Sequence, residues 1–284
     1  MRVVVTGGLG FIGSAITERL LSLGHEVKVI DNFSSPSNRP LPVSIVDGAI
    51  RTDVGDYDSL LKVKYTLIGT LTYPDVVIHT AAMARTVPCV DNPLFCHRVN
   101  ATGSLNVFQI LGKARIVHCS SNVVLGVPTP YRASKLAAEH YLEAYNALYN
   151  ANIIGLRFSN VLGPHLRKGD GAVLSMLRDS RGDKGYVEVT GDGTQTRNFC
   201  FVDDIVDACM LAAFDSTHRG ILDITTGIST SMNEFASYFN CPIRYIEDRK
   251  GDSKHLIQSP EEAERVLGWK YKTPLDEAIR RSLA

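Results

Sequence analysis

Three side chains in the middle of the chain, Ser121, Tyr131 and Lys135, have the types and spacing needed to take a proton from an alcohol. Tyr131 and Lys135 stand four residues apart in Tyr131-Arg-Ala-Ser-Lys135, and on a helix that spacing puts both on one face. A free tyrosine titrates at about 10 and is a poor base at neutral pH. An ammonium beside it favours the phenolate, and each unit of lowering is worth about 1.4 kcal/mol. Ser121, the second residue of Ser120-Ser121, can donate a hydrogen bond to the same substrate oxygen. An isolated Y-x-x-x-K is ordinarily a pair of surface residues on an amphipathic helix, because the pattern is short. The chemical reading needs a hydride acceptor beside the tyrosine and elements that put it there.

Those elements begin at the N-terminus. Residues 3–5 are a β-branched run suited to a buried strand. Gly7, Gly10 and Gly13 follow at three-residue spacing, and residues 14–23 read as an amphipathic helix. In a strand–turn–helix context the first glycine permits a tight turn, the second lets a pyrophosphate approach, and the third lets the helix pack close. The helix N-terminus then faces the anion with free N–H groups. A second strand over residues 26–30 ends at Asp31, where a carboxylate can accept from an adenosine ribose hydroxyl and repel a 2′-phosphate. The predicted cofactor is NAD rather than NADP. With it, the three central residues form a proton-abstraction site for an alcohol whose hydride leaves to NAD.

The remaining elements alternate. Strands are predicted over residues 43–46, 75–82, 115–119 and 153–158, and helices over 56–64, 94–113 and 131–150. This predicts an α/β fold, a Rossmann-like doubly wound parallel sheet covered on both faces. Beyond Asn160 the texture changes: a strand at 186–189, a turn at Gly191-Asp-Gly193, a helix at 203–214, a strand at 221–225 and two terminal helices form a smaller α/β region. The predicted division is 1–160 for NAD and 161–284 for substrate, with some segments crossing back.

The 30 Lys and Arg balance the 30 Asp and Glu, so no basic surface points to nucleic acid or a membrane. No apolar run reaches spanning length, and the first strand begins at residue 2, leaving no room for a signal peptide. The six cysteines show no C-x-x-C pair and no regular framework, which predicts reduced thiols in a soluble cytoplasmic protein. No spacing suggests a metal, and His79 and His118 read as hydrogen-bonded core residues.

The motifs Thr-Gly-Gly-Leu-Gly-Phe-Ile-Gly13, Asp31-Asn32, Asp53-Val54, His79-Thr-Ala-Ala82, Ser120-Ser121, Tyr131 to Lys135, 157–164, 191–204 and Leu267-Gly-Trp269 cover nearly the whole chain. Through them the sequence resembles the extended short-chain dehydrogenase/reductases, specifically the NAD-dependent nucleotide-sugar epimerase/dehydratase family. The resemblance implies a cofactor set of Gly7, Gly10, Phe11, Ile12, Gly13, Asp31, Asn32, Asp53, Val54, Ala81, Ala82, Asn100, Tyr131, Lys135 and Phe158. Asp31 would hold the adenosine ribose, Asp53 and Val54 would border the adenine, and Lys135 would also hold the nicotinamide ribose. Ser121, Asn160, Arg197 and Arg249 would bind the nucleotide sugar, the two arginines at its diphosphate.

The two residues after Ser121 discriminate among reactions. Dehydratases of the family place Asp-Glu there and decarboxylating relatives a glutamate at the second position, whereas this chain has Asn122 and Val123. The 3,5-epimerase/4-reductase relatives place a cysteine at the Val123 position and a histidine at the His165 position. Only the histidine is present, so His165 is expected to cap or line its loop. What remains is C4 epimerisation, of the UDP-glucose/UDP-galactose type, through a transient 4-keto sugar. A 4-ketoreductase or other sugar dehydrogenase is the same-fold alternative, and a non-catalytic NAD-binding sensor or scaffold is the alternative of another class. Only five residues separate Leu125 from Tyr131, and Leu125 replaces the family's usual tyrosine, which predicts a more open site or an unusual substrate. The family's pairing of long helices implies a homodimer built on Leu94, Phe95, Tyr141, Leu142, Tyr145 and Leu148.

Overall fold

The structure is a computed structural model that describes residues 1–70, 73–166, 173–248 and 253–283. Short runs of β-branched residues build its centre. Val3 to Val5, Val76 to Ile78, Ile116, Val117, Ile153 and Ile154 are all buried, as strands covered on both faces must be. They belong to seven parallel strands, β1 (Arg2–Thr6), β2 (Glu26–Asp31), β3 (Ile50–Arg51), β4 (Val76–His79), β5 (Arg115–Ser121), β6 (Ile153–Phe158) and β7 (Ile221–Ile224). The order is β7-β6-β5-β4-β1-β2-β3, so strand order reverses between β1 and β4 and opens a crevice at their carboxyl ends.

Alternate strand residues feed two cores. Val3, Val5, Ile78, Val117 and Ile154 meet Ile16 and Leu20 of the helix Phe11–Ser22 together with Ile205 and Cys209 of the helix Val202–Met210. Val4, Val77, Ile116 and Ile153 meet Leu60, Phe108, Leu111 and Leu142 from the helices Tyr57–Thr70, Gly103–Leu111 and Pro130–Tyr149. The fold is Rossmann-like and doubly wound, as the alternation of elements predicts.

Several local expectations are corrected. Residues 43–46 belong to a helix, Val43–Asp47, that starts behind Pro42; Val43 is exposed, and the sheet edge is closed instead by Ile50 and Arg51 on Ile30 and Asp31. The helix expected over 94–113 is interrupted: Pro93–His97 leads into a wider π-type turn, Arg98–Thr102, before Gly103–Leu111. Such turns recur at functional sites, and Asn100 lies in this one. The strand at 221–225, read with the C-terminal region, pairs with β6 as the outer strand of the main sheet. The cysteines are not all free thiols: Cys89 and Cys96 form a disulfide between two short helices, Thr86–Asp91 and Pro93–His97, while Cys119, Cys200, Cys209 and Cys241 are free.

His79 is the hydrogen-bonded core residue expected, with ring nitrogens 2.6 Å from Thr6 Oγ1 and 3.0 Å from Ser104 Oγ. His118 is not: neither of its buried ring nitrogens has a hydrogen-bond partner among the described residues, because Phe108 stands edge-on beside it and His79 tilts against it. Leu142 is fully buried in the second core, so it serves packing rather than an outer face.

The C-terminal segment is tied back through Trp269, whose indole N–H donates to the Asp204 carbonyl at 2.8 Å. The Asp204 carboxylate accepts the N–H groups of Lys272 and Thr273. Among the described residues no helix is long and apolar enough to cross a membrane.

Candidate active site

The crevice is built first from backbone. Beyond Thr6 the chain turns at Gly7, whose φ of +69° is one that side chains rarely adopt, and a Cβ there would lie 2.7 Å from Ala81 Cα. At Gly13 a Cβ would collide with the Gly7 carbonyl, so turn, helix and the loop after β4 pack at a separation only glycine permits. Gly10 precedes the first helix in extended conformation, with no side-chain cap and no acidic residue in the first turn. The leading N–H groups and the positive end of the helix dipole thus remain available to an anion. Phe11 and Ile12 are half-buried and lean on the first core.

Asp31 closes β2. Its two carboxylate oxygens accept the N–H groups of Leu9 at 3.0 Å and Phe33 at 2.8 Å, which fixes its orientation and leaves acceptor capacity on both oxygens. Asn32 turns aside to accept the Ser34 N–H. Farther along the crevice, Asp53 accepts the Gly55 N–H and pairs with Arg98 at 3.0 Å, and Val54 is buried with its carbonyl taken by Asn106. Ala81 and Ala82 are half-buried beyond β4. Asn100 stands behind them, accepting the Met83 N–H at 2.8 Å and donating to the Met83 carbonyl and to Ser134 Oγ, both at 3.0 Å. Its amide shapes the loop that carries the two alanines. A glycine cradle, an uncapped helix start and an oriented carboxylate at the end of β2 fit a dinucleotide's pyrophosphate and ribose, so the residues present suit NAD.

Ser121, Tyr131 and Lys135 converge at the carboxyl end of β5. Thr129 starts their helix by accepting the Arg132 N–H on its side chain, Pro130 occupies the first turn, and Asn150 ends it in left-handed conformation. Tyr131 and Lys135 are buried on one face of that helix. Burial pushes the Tyr131 phenol up, against a hydrogen bond from Ser121 and the N–H and charge of Arg85. Burial brings the Lys135 ammonium down to about 8, and its Nζ donates to the Cys119 carbonyl at 3.0 Å. The lysine is where the spacing places it, yet Ser121 and Arg85 are the neighbours that favour the phenolate here.

Sequence reasoning missed the brace below these residues. Glu139, one further turn along the same face, is buried; it accepts Ser120 Oγ at 2.6 Å and binds Arg157 on β6 through Nε at 2.9 Å and Nη2 at 2.7 Å. The spacing of Lys135 to Glu139 was a signal for it. Phe158, at the end of β6, is the register partner of Ser121.

The sugar side is assembled from later segments. The short loop before Tyr131 is met by the 253–256 segment. Ser253 Oγ accepts the Val127 N–H at 3.0 Å, Leu256 packs down buried, and a Cβ on Gly126 would run into Ser253. Asn160 pairs with Phe199 in a two-stranded sheet and donates to the Asn198 carbonyl at 3.3 Å. Arg197 is buried, and its Nη1 donates to the carbonyls of Thr196 and Ser253, each at 2.8 Å. His165 holds φ +73° and its carbonyl accepts the Asn38 N–H, in keeping with a loop-lining role. Arg249 lies outside the described residues.

The model of the "NAD dependent epimerase/dehydratase family" matches residues 3–224. The UDP-glucose 4-epimerase of Mycolicibacterium smegmatis is 30% identical over 310 residues, covering 100% of this chain and 97% of its own length. Among solved structures, the Thermus thermophilus UDP-glucose 4-epimerase complex with NAD aligns with a TM-score of 0.88 at 30% identity, over 100% of this chain and 98% of that one. The Thermotoga maritima UDP-glucose 4-epimerase with UDP-glucose aligns with a TM-score of 0.88 at 27% identity, over 100% and 97%. With a matched family model spanning most of its length, full-length relatives and a crevice that suits the dinucleotide, the chain belongs to the NAD-dependent epimerase/dehydratase family and takes NAD as its cofactor.

Proposed function

We propose that the protein is a nucleotide-sugar 4-epimerase of the UDP-glucose/UDP-galactose type. One observation carries the reading: Ser121 and Tyr131 meet at the end of β5, while the next two side chains, Asn122 and Val123, offer neither acid nor base. Tyr131 takes the proton of the sugar's 4-hydroxyl, and Ser121 hydrogen-bonds the same oxygen as it becomes a carbonyl. Bound NAD would supply hydride acceptor and donor chemistry at C4, and a turn of the sugar about its diphosphate link would present the other face. Tyr131 then gives its proton back, so the reaction leaves no net change in the enzyme.

In this reading the glycine turn and Asp31 hold the cofactor, and Lys135 holds its nicotinamide ribose. Residues 161–284, without β7, supply the nucleotide-sugar side, where Asn160, Arg197 and Arg249 answer the diphosphate. Exposed Leu94, Leu148 and Tyr141 on the helices Pro93–His97 and Pro130–Tyr149 suit a homodimer, which a light-scattering mass near one chain would exclude. A cytoplasmic location suits the use of NAD and a nucleotide sugar.

The test is direct. Purified protein loaded with NAD is given UDP-galactose and followed by NMR. Conversion to UDP-glucose without accumulating NADH supports the reading. Stoichiometric NADH marks a dehydrogenase, and unchanged UDP-galactose and related UDP-sugars refute the assignment.

A further inference from the structure

Arg85 carries the most strained backbone near the site. Its φ of 101° and ψ of 143° lie in a region that side chains rarely enter. Strain of this kind persists only where the surroundings over-determine it, and it clusters at active sites. The surroundings here are specific. Two residues before Arg85, both main-chain groups of Met83 are held by the Asn100 amide, which also reaches Ser134 on the helix of Tyr131. Immediately after Arg85 the helix Thr86–Asp91 begins, and its Cys89, joined to Cys96, packs against Tyr131 itself. The segment is therefore pinned to the catalytic helix on both sides of the strained residue. In this conformation the Arg85 N–H points to the phenol oxygen of Tyr131, and its guanidinium lies within electrostatic range of it. With both flanks held, an ordinary negative φ would require the Ala84–Arg85 peptide to turn and carry that N–H with it.

We propose that Arg85 is a positioning residue for proton transfer at Tyr131: its left-handed backbone aims the main-chain N–H, and its side chain brings a cation, at the oxygen where negative charge develops. The proposal rests on the reading of Tyr131 as the base. Ser121 approaches the same oxygen from β5, so the phenolate is met from two elements. Lys135 Nζ is engaged by the Cys119 carbonyl instead.

Three variants separate the two contributions. Arg85→Gly keeps the N–H and tolerates the backbone conformation while removing the cation. Arg85→Ala removes the cation and leaves the strain, so the N–H is free to turn away. Arg85→Lys keeps a charge. The readout is ultraviolet titration of the phenolate in NAD-loaded protein, with Tyr131→Phe as the blank, beside the acid limb of kcat/KM for UDP-galactose. The Tyr131 midpoint is expected to rise by about one unit in Arg85→Gly and by more in Arg85→Ala, with the acid limb moving in parallel and the smallest shift in Arg85→Lys. Glycine relieves strain, so the thermal midpoint of Arg85→Gly should equal or exceed that of the parent, which separates its effect from unfolding. Coincident midpoints in all three variants, with any loss of rate independent of pH, would overturn the proposal while leaving Tyr131 as base. Full epimerisation by Tyr131→Phe would overturn both.

Discussion

The cofactor side and the sugar side of the crevice are built by opposite means. The first is local and made of backbone: Gly7, Gly13, the uncapped start of the first helix and Asp31 all fall within thirty-one residues of the N-terminus. The second is assembled from distant pieces. Ser253 meets Val127 across 126 residues of sequence, Arg197 reaches Ser253 across 56, and Asn160 leans on Asn198 across 38. Where geometry is set by conformational limits on a few neighbouring residues, spacing alone reveals it. Where it depends on how later segments dock, residue type hints at a role and tertiary structure decides the placement.

The contrast can be tested at the hinge between the two sides. Tyr131→Phe removes the proton acceptor and nothing else of bulk, so kcat should fall by about a thousandfold while NAD stays bound, measured by turnover and by cofactor content. An Asp31→Ala change strikes the cofactor side alone. It removes a charged acceptor, should weaken NAD binding by roughly 10- to 100-fold and should narrow the preference over NADP, as read by fluorescence titration. If the sugar KM moved as much as the NAD affinity, the two sides would not be separable.

Acid should loosen the cofactor side through its core. Burial holds the His79 imidazole down at about 3 in the folded protein, against 6.5 as its ordinary value, and it lowers His118 in the same direction. The unfolded chain therefore binds more protons between these values. Stability is full above about pH 6.5 and falls as the pH drops toward 3. His79 alone predicts a loss of about 2 kcal/mol by about pH 5, measurable by urea unfolding, and a His79→Gln variant should flatten the dependence. The smallest effect is expected on the sugar side, where Arg197→Ala removes donors to the 253–254 segment. It should raise KM for UDP-galactose about tenfold with NAD affinity unchanged. A shift in NAD affinity instead would show that Arg197 supports the whole crevice.

The legibility of the chain follows the same division. The doubly wound sheet, the glycine turn, Asp31 and the shared face of Tyr131 and Lys135 follow from periodicity and spacing, and the structure has them in place. Residues 43–46 did not: four apolar-leaning residues cannot tell a strand from a helical turn, and the sheet edge went to Ile50 and Arg51. The Cys89–Cys96 bond could not be read from six unpatterned cysteines, since pairing depends on two short helices folding side by side. The contact of the short loop before Tyr131 with Ser253 lies outside any local window.

What the amino-acid order determined by itself is the set of conformations that only certain residues permit and the faces that helical spacing creates: the dinucleotide turn, the carboxylate at the end of β2, and a tyrosine one turn from a lysine. What tertiary structure alone decided is which distant groups meet those faces. Arg85 on the phenol, Glu139 and Arg157 under Ser120, and the 253–256 segment over the loop are all of this kind. The physical reason is that backbone sterics act over a few residues, whereas burial and hydrogen bonding couple groups by distance in space, whatever their separation along the chain.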